Sequence, residues 1–119
     1  MKTALLSIAA MASLAACATS AAEPQRWAGI YTFQFETSSI RPDGSSENWW
    51  VSSADEHVQA QLRHALEKSG ARPPWGRARV TIEGNLSAPG HYGHMAAYDH
   101  EIDVTRVVSS QALSPREDN

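Results

Sequence analysis

Apolar and polar positions alternate in two stretches of the second half of the chain, and these anchor the reading of the rest. Ala78, Val80 and Ile82 fall on one face, with Arg77, Arg79, Thr81 and Glu83 on the other. That period of two predicts a half-buried strand. Its partner repeats the pattern, with Ile102 and Val104 on the apolar side and Glu101, Asp103 and Thr105 on the wet side. Arginines on one wet face and acids on the other predict cross-strand pairs in an antiparallel ladder, each contributing ~0.2–1 kcal/mol. Residues 30–37 also alternate: Tyr31, Phe33 and Phe35 share one face, and Thr32, Gln34 and Glu36 the other. They predict the first strand. Pro42-Asp43-Gly44 among serines predicts a turn, and residues 47–52 a short second strand. The adjacent Trp49 and Trp50 then face opposite sides. One belongs to the core; the other lies under a helix, at an edge, or exposed as a binding surface.

The period changes after residue 52. Val58, Leu62, Ala65 and Leu66 form an apolar stripe at helical spacing. Ser53-Ala54-Asp55-Glu56 matches a capping box, in which Ser53 caps the Glu56 amide and Glu56 reaches back. Gly70 supplies a stop, Lys68 and Arg72 suit the negative end of the helix dipole, and Pro73 and Pro74 forbid continuation. Trp75 is expected to pack where the chain turns into the next strand. Strand, strand, helix, strand, long turn, strand predicts an α+β fold. The expectation is a small, strongly twisted antiparallel sheet or a partly open barrel of the OB type with one helix.

The connection between the last two strands holds Gly84, Gly90 and Gly93 and the densest set of reactive side chains. Ala88-Pro89-Gly90-His91 fits a type II turn with glycine at the positive-φ position. The connection is long for a hairpin, which predicts either a functional loop or one packed by its own aromatics.

Composition and the two ends place the chain. At 119 residues it is one domain at most. Lys2 precedes an apolar run over residues 4–14, too short to span a bilayer. The run ends in Leu14-Ala15-Ala16-Cys17. This resembles the lipobox of bacterial lipoproteins, with residues 1–16 as signal peptide. The resemblance implies diacylglyceryl transfer to the Cys17 sulfur, cleavage before it, and acylation of the new amino terminus. The alternative is an ordinary secretory signal with an incidental cysteine. Cys17 is the only cysteine, so an intramolecular disulfide is impossible. Each buried acyl methylene adds roughly 0.8 kcal/mol of membrane affinity, so two or three chains anchor permanently. Ala18, where an aspartate would signal inner-membrane retention, implies the periplasmic face of the outer membrane. Residues 17–26 read as lipidated cysteine and tether, 27–108 as one barrel-like domain, and 109–119 as a disordered tail. The formal charge of −3 becomes about −4 without Lys2, which argues against nucleic acid as a partner.

The body carries a second resemblance. Glu83-Gly84-Asn85-Leu86-Ser87, Gly90-His91-Tyr92-Gly93-His94-Met95, Tyr98 and Glu101-Ile102 are similar to a signature of small secreted or lipid-anchored proteobacterial proteins of unassigned activity. It implies no catalytic or binding residues.

Three chemistries compete for the loop. His91, His94 and Met95, with His100 shortly after, suit copper or zinc by ligand type. Against this, His94 serves equally as a structural clip to backbone carbonyls while His91 is solvated. His57 and His64, about 10 Å apart along the helix, cannot share an ion. Hydrolysis lacks an activated-nucleophile motif, and Glu83 with Glu101, which could oppose each other across the hairpin, read better as a solvated ladder. The chain is therefore read as no enzyme and as needing no cofactor. Trp50, Tyr92 and Tyr98 could form a contact surface for an envelope protein or glycan, or could belong to the core. The reading is a lipid-anchored envelope protein with a non-catalytic interaction domain; the alternative is periplasmic copper or zinc binding.

Overall fold

The computed structural model describes residues 24–69 and 75–114. Cys17, the lipobox, Gly70, Arg72, Pro73, Pro74 and the last five residues lie outside them. Five strands form a closed barrel: β1 (Gln25–Gln34), β2 (Thr37–Pro42), β3 (Trp49–Ser52), β4 (Gly76–Leu86) and β5 (Glu101–Leu113). One helix, α1 (Glu56–Leu66), links β3 to β4. Around the barrel the order is β1-β2-β3-β5-β4, and β4 returns to β1. All neighbours are antiparallel except β3 and β5, which run parallel with Val51 opposite Ile102.

The alternation of β4 is realised residue by residue: Ala78, Val80, Ile82 and Gly84 are buried and their neighbours are not. Ala78, Val80 and Ile82 join Tyr31, Ile40, Val51, Ile102 and Val104 in the core. The helical stripe Val58, Leu62, Ala65 and Leu66 is buried against the same cluster. Burying each of Val58, Leu62 and Leu66 stabilises the fold by about 1.5–3 kcal/mol. Trp27 and Trp49 pack on the core as an edge-to-face pair, ring centroids 5.3 Å apart.

Several boundaries differ from the sequence reading. The barrel begins at Gln25 rather than Trp27, because Gln25 and Arg26 pair with Gly84 and Glu83 of β4. It ends at Leu113 rather than Val108, because residues 109–113 continue the β4 ladder down to Arg77. Most of that extension is exposed, so it carries no apolar alternation to betray it. The first strand stops at Gln34. Phe35 and Glu36 form a tight turn, so Phe35 leaves the face of Tyr31 and Phe33 and is 75% exposed. The stretch from Thr37 is itself a strand before the turn at Pro42-Asp43-Gly44, where the Ser45 N–H donates to the Pro42 carbonyl. Trp75 is 42% exposed rather than packed.

The helix cap also differs. Asp55, not Ser53, is the N-cap: its Oδ1 accepts from the amides of His57 (2.8 Å) and Val58 (3.3 Å). Ser53 instead ties the approach to β5, its hydroxyl donating to the Val104 carbonyl at 2.7 Å.

The acids and arginines pair by a different rule from the one expected. Glu83 faces Arg106 across β4–β5 and also meets Arg26 of β1, at 2.6 Å. Arg79 reaches Asp43 in the β2–β3 connection, at 3.1 Å. Glu101 is not opposite Glu83. It lies beside β3, where its carboxylate accepts from Ser52 at 3.1 Å. Hydrogen bonding from Arg26 holds the Glu83 carboxyl below its ordinary range; the charges of Arg26 and Arg106 add to this and desolvation opposes it.

Candidate functional site

The loop between β4 and β5 is built as a narrow ladder. The Ser87 amide donates to the Glu101 carbonyl, the Gly90 amide to the Asp99 carbonyl, and Tyr92 and Tyr98 exchange both backbone bonds at 2.8 and 3.1 Å. Nearly every turn of the loop thus has its polar backbone paired, as a segment leaving the sheet requires. The tip is a single 3-10 turn over His94–Ala96. The positive-φ glycine is Gly93, at 71°, whereas Gly90 has no positive φ, so the type II turn expected at residues 88–91 does not form. Gly90 packs instead beside the Tyr92 ring, whose hydroxyl donates to the Ala88 carbonyl at 2.8 Å.

The ladder folds over β3. Trp49 turns toward the core, so Trp50 points out of the barrel. Trp50 is half-buried because the loop covers it. Tyr98 lies beside it with ring centroids 5.3 Å apart, and Gly93 sits on the indole so closely that a β-carbon there would overlap it. The three aromatic candidates Trp50, Tyr92 and Tyr98 are therefore brought together, each half-buried. They serve first as the packing of their own loop.

The histidines are separated by this arrangement. His91 is exposed. His94 Nε2 meets Glu36 Oε2 at 3.2 Å, so it clips the loop to a side chain of the β1–β2 turn rather than to backbone carbonyls. His100 Nδ1 lies 3.2 Å from the Ser87 carbonyl, with its ring 6.2 Å from that of Trp49. Met95 is 82% exposed. Among the described residues no group of three or more His, Cys, Asp or Glu side chains is placed to hold a metal ion. His57 and His64 remain on the exposed flank of α1, where His64 meets Glu67 at 3.1 Å.

Sequence reasoning missed the β1–β2 turn as part of this region. The Glu36–His94 contact brings two loop tips side by side. Phe35 precedes Glu36 and Met95 follows His94, so the most exposed large apolar side chains of the described residues flank one imidazole–carboxylate contact. The backbone is strained at the same place. Glu36, Met95 and Ala96 have φ of 62°, 59° and 54°, a region that costs a non-glycine residue about 1 kcal/mol or more. The signal in the sequence was the parity of Phe35, which fits an inward face only if the strand continues through it.

Among the described residues no helix is long and apolar enough to cross a membrane. No protein-family model matches this chain, and no curated protein or solved structure matches it significantly.

Proposed function

We propose that this chain is a lipid-anchored bacterial envelope protein, held by Cys17 at the periplasmic face of the outer membrane, whose barrel is a non-catalytic docking module for an envelope protein. The strand order β1-β2-β3-β5-β4 with a helix between β3 and β4 supports an OB-type barrel. In that architecture the first and last hairpin loops flank a binding face. Here those are the Phe35–Glu36 turn and the loop over residues 87–100.

The observation that carries the docking reading is the pair of exposed apolar tips, Phe35 and Met95, joined by Glu36 and His94. Strained backbone persists where surrounding structure over-determines it, and such places concentrate at functional sites. A protein partner fits better than a glycan or nucleic acid. Sugars and bases stack on open aromatic faces, and that of Trp50 is occupied by Gly93. Residues 84–100 contain no lysine or arginine to meet phosphate. Phe and Met side chains are enriched in the cores of protein interfaces.

A photo-crosslinking residue at Phe35 or at Met95, in intact cells, should give the same discrete protein adduct. The same probe at Gln61, exposed on α1, should not. Absence of a shared adduct, or equal capture from all three positions, would sink the docking reading. The anchor is tested separately: labelled palmitate should enter the chain, and Cys17→Ser should abolish it.

A further inference from the structure

A cleft between α1 and strands β1–β3 lies apart from the docking rim. Its volume is about 270 Å3, and none of Phe35, Glu36, Trp50, Tyr92, His94 or Met95 lines it. Tyr31 and Phe33 give it an aromatic wall; Ser38 and Ser52 line it from β2 and β3; Gln59 and Arg63 enter from the helix. The size is just below the usual range of ligand pockets, about 300–1,000 Å3, which suits a small ligand, and an apolar lining with a few convergent polar groups is their usual composition.

The polar groups are not interchangeable. The Ser38 hydroxyl donates to the Val51 carbonyl at 3.2 Å, and the Ser52 hydroxyl to Glu101 Oε2 at 3.1 Å. With its proton committed, the Ser52 oxygen offers a ligand lone pairs only; the Ser38 hydroxyl is shared with the Tyr31 phenol. Gln59 Nε2 is likewise engaged, donating to the Ser53 carbonyl at 2.7 Å. Arg63 is different. It is the only cation lining the cleft, and no carboxylate among the described residues pairs with it. It is exposed at the edge of the cleft it lines, and its charge also acts on the Tyr31 phenol. Glu101 stands behind Ser52 and disfavours a second negative charge there, while favouring a donor or a cation.

We propose that the cleft binds a small organic monocarboxylate that carries a hydroxyl or amino donor next to an apolar ring or chain. The carboxylate takes the Arg63 fork, the donor meets the Ser52 oxygen, and the apolar body lies against Phe33 and Tyr31. A guanidinium matches a carboxylate in two parallel hydrogen bonds. A phosphate, with its larger charge, finds one cation and a nearby carboxylate, so it is the poorer ligand.

Mandelate, phenylacetate and 1-phenyl-1,2-ethanediol separate these elements when titrated into the full-length chain and followed by amide NMR. Mandelate should bind tightest and shift the amides of Ser52, Ser53 and Gln59. Phenylacetate lacks the hydroxyl and the diol lacks the carboxylate; each should bind about tenfold more weakly, the scale of one lost hydrogen bond or ion pair. Arg63→Gln should bring mandelate down to the diol's level, and Arg63→Lys should fall between. Phe35→Ser should leave mandelate binding unchanged, which separates this site from the docking rim. The proposal is overturned if the three probes bind alike, if none binds, if the shifts map elsewhere, or if Arg63→Gln leaves mandelate binding intact.

Discussion

The helix-to-barrel core and the loop over residues 87–100 are held by different physics. Val58, Leu62, Ala65 and Leu66 share one buried, largely aliphatic cluster with Val51, Ala78 and Val104. The loop buries no aliphatic cluster of its own. It depends on a backbone ladder, on Gly93 against Trp50, and on Tyr98 beside the same indole. Aliphatic packing tolerates no polar atom but also presents none. The loop keeps its tip exposed and its strained residues in place by comparatively few contacts. Rigid scaffold and exposed projection are thus divided between two parts of one small chain.

The sharpest way to test this contrast is to damage each part separately. Leu62→Ala should lower the stability of the whole barrel by about 2–5 kcal/mol, the usual cost of emptying a buried leucine site. A urea midpoint shift of matching size, with unchanged slope, would show it; a shift under 1 kcal/mol would mean that α1 is not part of the core. Gly93→Ala should cost less, about 1–3 kcal/mol, from its positive φ and the collision with Trp50. Its signature should be local: a changed tryptophan emission and loss of amide protection at Tyr92 and Tyr98, with the β4–β1 ladder still protected. If those strands lost protection equally, the two regions would not be separable.

The smallest effects are those of pH. Burial pushes the Tyr31 phenol above its ordinary value of 10.0, although hydrogen bonding with Ser38 and the charge of Arg63 partly counter this. The raised value means that the folded state holds its proton where the unfolded chain loses it. Stability is fully present below pH 10 and falls as pH rises above it. Tyr31→Phe should flatten that alkaline decline in a series of unfolding curves. At the acid end the sign reverses. Glu83 is lowered from 4.5, so its contribution is present above that pH and is lost as pH falls through the lowered value. Arg26→Gln should remove much of this acid sensitivity, while retained sensitivity would show that another group dominates.

The same division explains what could be read from the sequence. β4 and α1 were legible because each buries one face against the core and so displays its period without interruption. β5 was legible only to Thr105. Its register against β4 shifts between Glu83 and Gly84 and again between Thr81 and Ile82, each time with one extra residue in β5. A bulge of this kind resets the parity, so the paired Val107 and Val108 and the polar residues after them lost the alternation. β2 was hidden for another reason. Only Ile40 of its six residues is strongly apolar, and it forms because β1 and β3 satisfy its backbone from both sides. In the loop, the aromatic packing was a foreseen alternative. The Glu36–His94 contact was not, since it joins residues far apart in sequence and depends on how far the loop leans across β3.

The last strand of the described residues is inserted between the third and the fourth. Until residues 101–113 have emerged and docked, β3 and β4 each present an open edge, and the barrel cannot shut. A nascent chain therefore carries two unguarded pairing templates from the completion of β4 at Leu86 until β5 docks. Closure waits on a contact distant in sequence, which slows folding. A truncation before Glu101 should yield an aggregating fragment rather than a smaller barrel, so the final strand acts as the clasp of the whole molecule.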